Sequence, residues 1–127
     1  MLSQTFSAPG APAPAARYSP VVRRGPLLAV SGQVPFLPGQ LEGPTPGFRE
    51  QARTVFTYLQ ELLETAGASV SDVLMVRLYL AREEDFAAMN EIFDEVFGEV
   101  RPARTTVWVH LPGELLIEAD VLAVVGA

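Results

Sequence analysis

Phe48, Ala52, Val55, Phe56, Leu59, Leu62, Leu63 and Ala66 recur at helical spacing along one side. A helix with so one-sided an apolar stripe has to bury it against another element. Thr45-Pro46 predicts where this helix begins, because threonine can cap the free amides and proline suits the first helical position. Gly67 supplies the left-handed residue that ends it. The apolar runs on either side have strand character instead, and they are what the stripe has to cover.

Val21-Val22 and Leu27 to Val30 flank Arg23-Arg24-Gly25-Pro26, which predicts a hairpin with those four residues as its turn. Pro35 to Gly47 is dense in proline and glycine and reads as an exposed loop. Val73 to Leu80 reads as a third strand, buried on both sides. Glu83, Glu84 and Asp85 favour the start of a second helix, whose stripe is Phe86, Met89, Phe93, Val96 and Phe97 and whose stop is Gly98. From Thr105 to Val125 strand formers dominate, broken at Pro112-Gly113 by a turn between two neighbouring strands. The order strand, strand, helix, strand, helix, strand, strand predicts an α+β fold, two helices on one face of a single sheet. The opposite face would then need cover from further copies of the chain, with Val107, Val109, Val121 and Val125 as candidates for it.

The chain of 127 residues is long enough for one domain, read as an irregular segment over 1–16 followed by a single domain over 17–127. It has no cysteine, so thiol nucleophiles, thiolate metal sites and disulfides are excluded. All nine basic residues are arginine, which removes lysine Schiff-base chemistry. One histidine, His110, is too few for a dedicated zinc or iron site, and no glycine-rich phosphate loop is present; no metal and no cofactor are expected. The formal charge of -6 argues against nucleic acid as a partner. The amino terminus lacks the pattern of a signal peptide and no run is long enough to cross a bilayer, so the expectation is a cytoplasmic protein without a membrane partner.

Two charges stand out inside the apolar carboxy-terminal runs: Arg104 and Glu118. An arginine presents a fixed fork of donors that matches a planar carboxylate and never loses its charge. Arg104 reads either as that clamp or as a strand-edge residue paired to a surface acid. Glu118 is expensive to bury without compensation, and Asp120 shares its parity, so either one of these acids has a specific role or both point to solvent. Placed on adjacent strands, Arg104 and Glu118 would face one cleft. Ser31 and Gly32 end the run Leu27 to Val30, where a ligand could approach the backbone closely. Tyr18 reads as a core ring with its hydroxyl satisfied at the surface or as a ligand contact, and Asn90 as a polar residue by the second helix's stripe that caps or braces a neighbouring loop.

Tyr18-Ser19, Ser31-Gly32-Gln33-Val34-Pro35, Ala66-Gly67-Ala68-Ser69, Asp72-Val73, Phe86-Ala87-Ala88-Met89-Asn90, Pro102-Ala103-Arg104-Thr105 and Ile117-Glu118 together resemble the RidA family, also called YjgF-type or L-PSP endoribonuclease proteins. The resemblance runs from about Tyr18 to Val125. It implies a chorismate-mutase-like α+β fold assembled as a homotrimer, with ligand sites in the clefts between subunits. It implies hydrolysis of 2-imino acids and their enamine tautomers, of the 2-aminoacrylate and 2-iminobutyrate type, to 2-keto acids and ammonia. By the same resemblance Arg104 clamps the substrate carboxylate and Glu118 positions the attacking water, while Tyr18, Ser31, Gly32, Asn90 and the Thr106 backbone shape the pocket. Three positions depart from the family pattern: Ala16-Arg17 replaces the common Gly-Pro, Thr106 stands where many members have cysteine, and Ala119 follows Glu118 in place of a larger aliphatic residue. The alternatives are a trimer that binds a small carboxylate without turning it over and, disfavoured by charge, a ribonuclease.

Overall fold

The computed structural model describes residues 3–36 and 47–126. The expected helix start at Thr45-Pro46, and most of the loop before it, lie outside those residues. The strands are β1 (Gln4–Phe6), β2 (Val21–Arg24), β3 (Leu27–Gln33), β4 (Val73–Leu80), β5 (Ala103–Trp108) and β6 (Ile117–Val124), and the helices are α1 (Phe48–Thr65) and α2 (Phe86–Phe97). They form one mixed six-stranded sheet in the order β1-β2-β3-β6-β4-β5, in which only β4 and β5 are parallel.

Local chemistry explains most of the boundaries. The β2–β3 hairpin turns on Gly25 and Pro26 alone, with Gly25 at φ +59°, so Arg23 and Arg24 belong to the strand. α1 ends where Gly67, at φ +86°, lets the Gly67 N–H donate to Glu64 and the Ala68 N–H donate to Leu63, satisfying two of the helix's last carbonyls. Ser69 and Asp72 then brace the approach to β4, the Ser69 N–H donating to the Asp72 carboxylate at 2.9 Å. Gly98, at φ +55°, closes α2 as the sequence suggests.

The core lies between the helices and one face of the sheet. Every residue of the α1 stripe is buried, and Phe56 meets Phe93 and Phe97 of α2 edge to face at 6.2 and 6.0 Å. Each fully buried side chain of this kind contributes about 1.5–3 kcal/mol relative to exposure. The sheet supplies Leu28, Val30, Val76, Leu78, Leu80, Ile117, Ala119, Val121 and Ala123.

Four expectations are corrected. β4 is buried on one face only: Val76, Leu78 and Leu80 point to the helices, while Arg77 is exposed and Tyr79 half-buried on a face that no element among the described residues covers. β5 and β6 are not neighbours, because β4 lies between them and pairs with both. The segment over 1–16 is not wholly irregular, since Gln4–Phe6 adds an edge strand to β2. Val121 faces the core, whereas Val107 and Val109 are exposed, and Leu27, Leu74 and Leu122 are exposed with them.

One polar residue positions the last strand. Gln51 is buried on the α1 stripe, where its amide donates to the Glu114 carbonyl at 3.1 Å and accepts from the Leu116 N–H at 2.8 Å. That double contact fixes the chain two residues before Glu118.

Candidate functional site

The predicted site residues fall into two groups on opposite faces of the sheet. Glu118 is opposite Tyr79 in the β4–β6 register and Arg104 is opposite Val76 in the β4–β5 register. Val76 is fully buried beneath the helices and Tyr79 is on the other face, so Arg104 points toward α2 and Glu118 away from it. With two strand spacings and about three residues between them, the two lie roughly 10 Å apart across the sheet and a similar distance along it. The expectation that one chain brings both to a shared cleft is therefore wrong.

The first group gathers around Glu118. Gly32 stands against its carboxylate so closely that a Cβ there would lie 2.4 Å from Glu118 Oε2, so only glycine leaves the carboxylate where it is. Ser31 Oγ donates to the Ser19 carbonyl at 2.7 Å, and the Ser31 N–H donates to Pro20, which ties the loop bearing Tyr18 to β3. Tyr18 is exposed at a cavity of about 100 Å³ that it shares with Gly32 and with Pro12 to Ala15. Arg17 is exposed beside it.

Burial pushes the Glu118 carboxyl above its ordinary value, and the charge of Asp120 pushes it further. Arg104 does not oppose this, contrary to expectation, because it is on the far side of the sheet. Asp120 itself is held by Arg77 Nε at 2.6 Å and by the Tyr79 hydroxyl at 2.9 Å. Sequence reasoning singled out Asp120 by its parity with Glu118 but missed Arg77 and Tyr79, whose signal was a like parity on β4.

The second group gathers around Arg104. Its guanidinium carbon lies 5.0 Å from the centre of the Phe93 ring and 5.7 Å from that of Phe86, and Nη1 reaches Met89 Sδ at 3.9 Å. Among the described residues no oxygen accepts from it and no carboxylate pairs with it. Asn90 follows Phe86 by four residues and precedes Phe93 by three, on the same side of α2. Thr106 shares the face of Arg104 on β5, and its buried hydroxyl has no hydrogen-bond partner among the described residues. On this one face of β5, then, an arginine without an anionic partner and a hydroxyl without a hydrogen-bond partner both have bonding capacity that an anion's oxygens could meet. Among the described residues no cluster of histidine, aspartate and glutamate has the form of a metal site. His110 is exposed in the connection between β5 and β6 and joins neither group.

Residues 8–125 match the family described as Endoribonuclease L-PSP. The chain belongs to that family, the RidA family. It is 41% identical over 114 residues to a RutC family protein of Pyrococcus abyssi, covering 89% of this chain and 90% of that one. It is 34% identical over 121 residues to a 2-iminobutanoate/2-iminopropanoate deaminase of Dermatophagoides farinae, covering 94% of each. The crystal structure of RidA from the Antarctic bacterium Psychrobacter sp. superposes with a TM-score of 0.89 at 35% identity, over 96% of this chain and 99% of that one. The mixed sheet and its two helices are thus those of RidA proteins, so the α+β class read from the residues holds, as does the chorismate-mutase-like fold that the resemblance implied.

Proposed function

We propose that this protein is a cofactor-independent deaminase of 2-imino acids and their enamine tautomers, working as a homotrimer with three sites between subunits. The observation that carries this reading is the half-buried Arg104, which among the described residues has no anionic partner and so offers its fork of donors to a substrate carboxylate. Because Arg104 and Glu118 are on opposite faces of one chain, a single small substrate can meet both only where two chains join. The kinship with a protein named 2-iminobutanoate/2-iminopropanoate deaminase supports the same substrate class.

The chemistry asks little of the site. Arg104 holds the carboxylate and aligns the C=N carbon, while the Glu118 carboxylate accepts a proton from water as the oxygen adds to that carbon. Glu118 returns that proton to nitrogen, giving the carbinolamine; its hydroxyl proton then passes through Glu118 to nitrogen as C=O forms and the C–N bond breaks, and ammonia and the 2-keto acid leave. Orientation and these two proton transfers suffice for an electrophile as reactive as an imine. The test is ammonia and keto-acid release from freshly generated 2-iminobutyrate or 2-aminoacrylate. Catalysed release by the parent that is lost in Arg104→Ala and in Glu118→Gln supports the reading. A parent that binds 2-oxobutyrate yet does not speed hydrolysis is a carboxylate-binding protein, and the reading fails.

A further inference from the structure

We propose that Phe93, assisted by Phe86, is a positioning residue that sets Arg104 for its anion, an inference that rests on the carboxylate clamp proposed above. Arginine side chains have many rotamers, and a clamp that must be ordered anew at each binding event loses affinity to that ordering. Arg104 has no carboxylate partner among the described residues to hold it. What holds it instead is aromatic: the guanidinium lies over Phe93 at 5.0 Å and over Phe86 at 5.7 Å. An aromatic face attracts a cation without competing for its N–H donors, so apart from the weak contact of Nη1 to Met89 Sδ at 3.9 Å the fork stays free while its direction is fixed.

The two rings are themselves anchored. Phe93 is buried, with Phe97 at 4.5 Å and Phe56 at 6.2 Å around it, so it is fixed in the α1–α2 core and cannot follow a moving guanidinium. Phe86 packs on Trp108 at 5.7 Å, and the Trp108 indole N–H donates to the Arg82 carbonyl at 3.2 Å. Arg82 in turn grips the buried Asp85 with two hydrogen bonds of 2.8 Å, locking the start of α2 to the end of β5. This support explains why a helix residue far from either strand end belongs to the binding machinery: α2 carries the platform and β5 carries the clamp.

The experiment compares a carboxylate with its neutral isostere, using the single tryptophan, Trp108, as the fluorescent reporter of binding. The dissociation constants of 2-oxobutyrate and 2-oxobutanamide are measured for the parent, Phe93→Leu, Phe93→Tyr and Phe86→Leu, with Val55→Ala as a core-loss control. Phe93→Leu is expected to weaken the acid about tenfold and the amide less than about twofold, Phe93→Tyr to restore the parent preference, and Phe86→Leu to weaken the acid about threefold. Val55→Ala should lower thermal stability and leave the acid-to-amide ratio alone. If Phe93→Leu keeps the parent ratio, or weakens acid and amide alike, Phe93 is only a core residue and the inference is overturned while the clamp stands. A parent without preference for the acid overturns the clamp and this inference together.

Discussion

Glu118 is placed where its two forms serve different ends. Its ordinary pKa is 4.5 and the fold raises it, so the folded chain holds this proton more readily than the unfolded chain does. The stability it contributes is full below 4.5 and is lost as pH rises through the raised value, whereas in the proposed reaction it is the ionised form that accepts a proton from water. Turnover should accordingly rise with pH through that raised pKa. Glu118→Gln should abolish turnover and melt at a higher temperature than the parent at about pH 7, the difference closing toward about pH 4, as calorimetry at fixed protein concentration can check. Gly32→Ala tests the neighbouring contact: the new methyl displaces the carboxylate, a flexible group, so we expect folded protein with turnover down at least tenfold, on the order of 1.4 kcal/mol in the barrier. For Arg104→Lys, kinetics should show a loss close to that of Arg104→Ala, roughly 2–4 kcal/mol, since an ammonium cannot make the paired contact. Both charges were legible in the sequence because each interrupts an apolar strand run. Their faces were not: parity says only that Arg104 goes with Thr106 and Glu118 with Asp120, and which pair meets the helices is decided by register against β4.

At the scale of elements, periodicity carried the helices and most of the strands, because a helical stripe and a strand-forming run are local properties of the chain. Strand order is not local. Nothing between Trp108 and Ile117 shows that β4 inserts between the two last strands, and β1 is too short, at three residues, to stand out from its proline-rich surroundings. Gln51 illustrates a signal that was present and overlooked, a polar residue on the buried side of α1 beside Ala52. It joins α1 to the entry of β6 through two backbone groups, and Gln51→Leu would leave the Leu116 N–H and the Glu114 carbonyl without it. Urea unfolding should report a loss of about 1–3 kcal/mol, as expected for the loss of two partly buried hydrogen bonds. An unfolding midpoint like that of the parent would mean that water or relaxation satisfies both groups.

For the whole molecule, the question is what covers the face of the sheet that the helices leave open. Leu27 is 61% exposed, Leu74 55%, Leu122 45% and Val107 38%, and the first three line one apolar depression with Val22 and Ala29. A lone chain seldom leaves so continuous an apolar surface to water, and closed symmetry offers each copy the same cover. The same face carries Glu118, while β5, which bears Arg104, is the outer strand of the sheet with one edge unpaired. Assembly of copies around the open face would bury the leucines and bring the Glu118 side of one chain toward the β5 edge of another, which is what a substrate touching both residues requires. Light scattering at micromolar concentration should therefore give three times the mass of one chain. Leu122→Arg puts a charge at the centre of the apolar surface without entering the core, since Leu122 points away from the helices; it should yield a folded chain of monomeric mass that neither binds 2-oxobutyrate nor turns over imine. A trimeric and active Leu122→Arg protein would show that this face is not where the copies meet. A monomeric variant that kept parent activity would show that one chain completes the site alone, against the separation of Arg104 and Glu118 across its sheet.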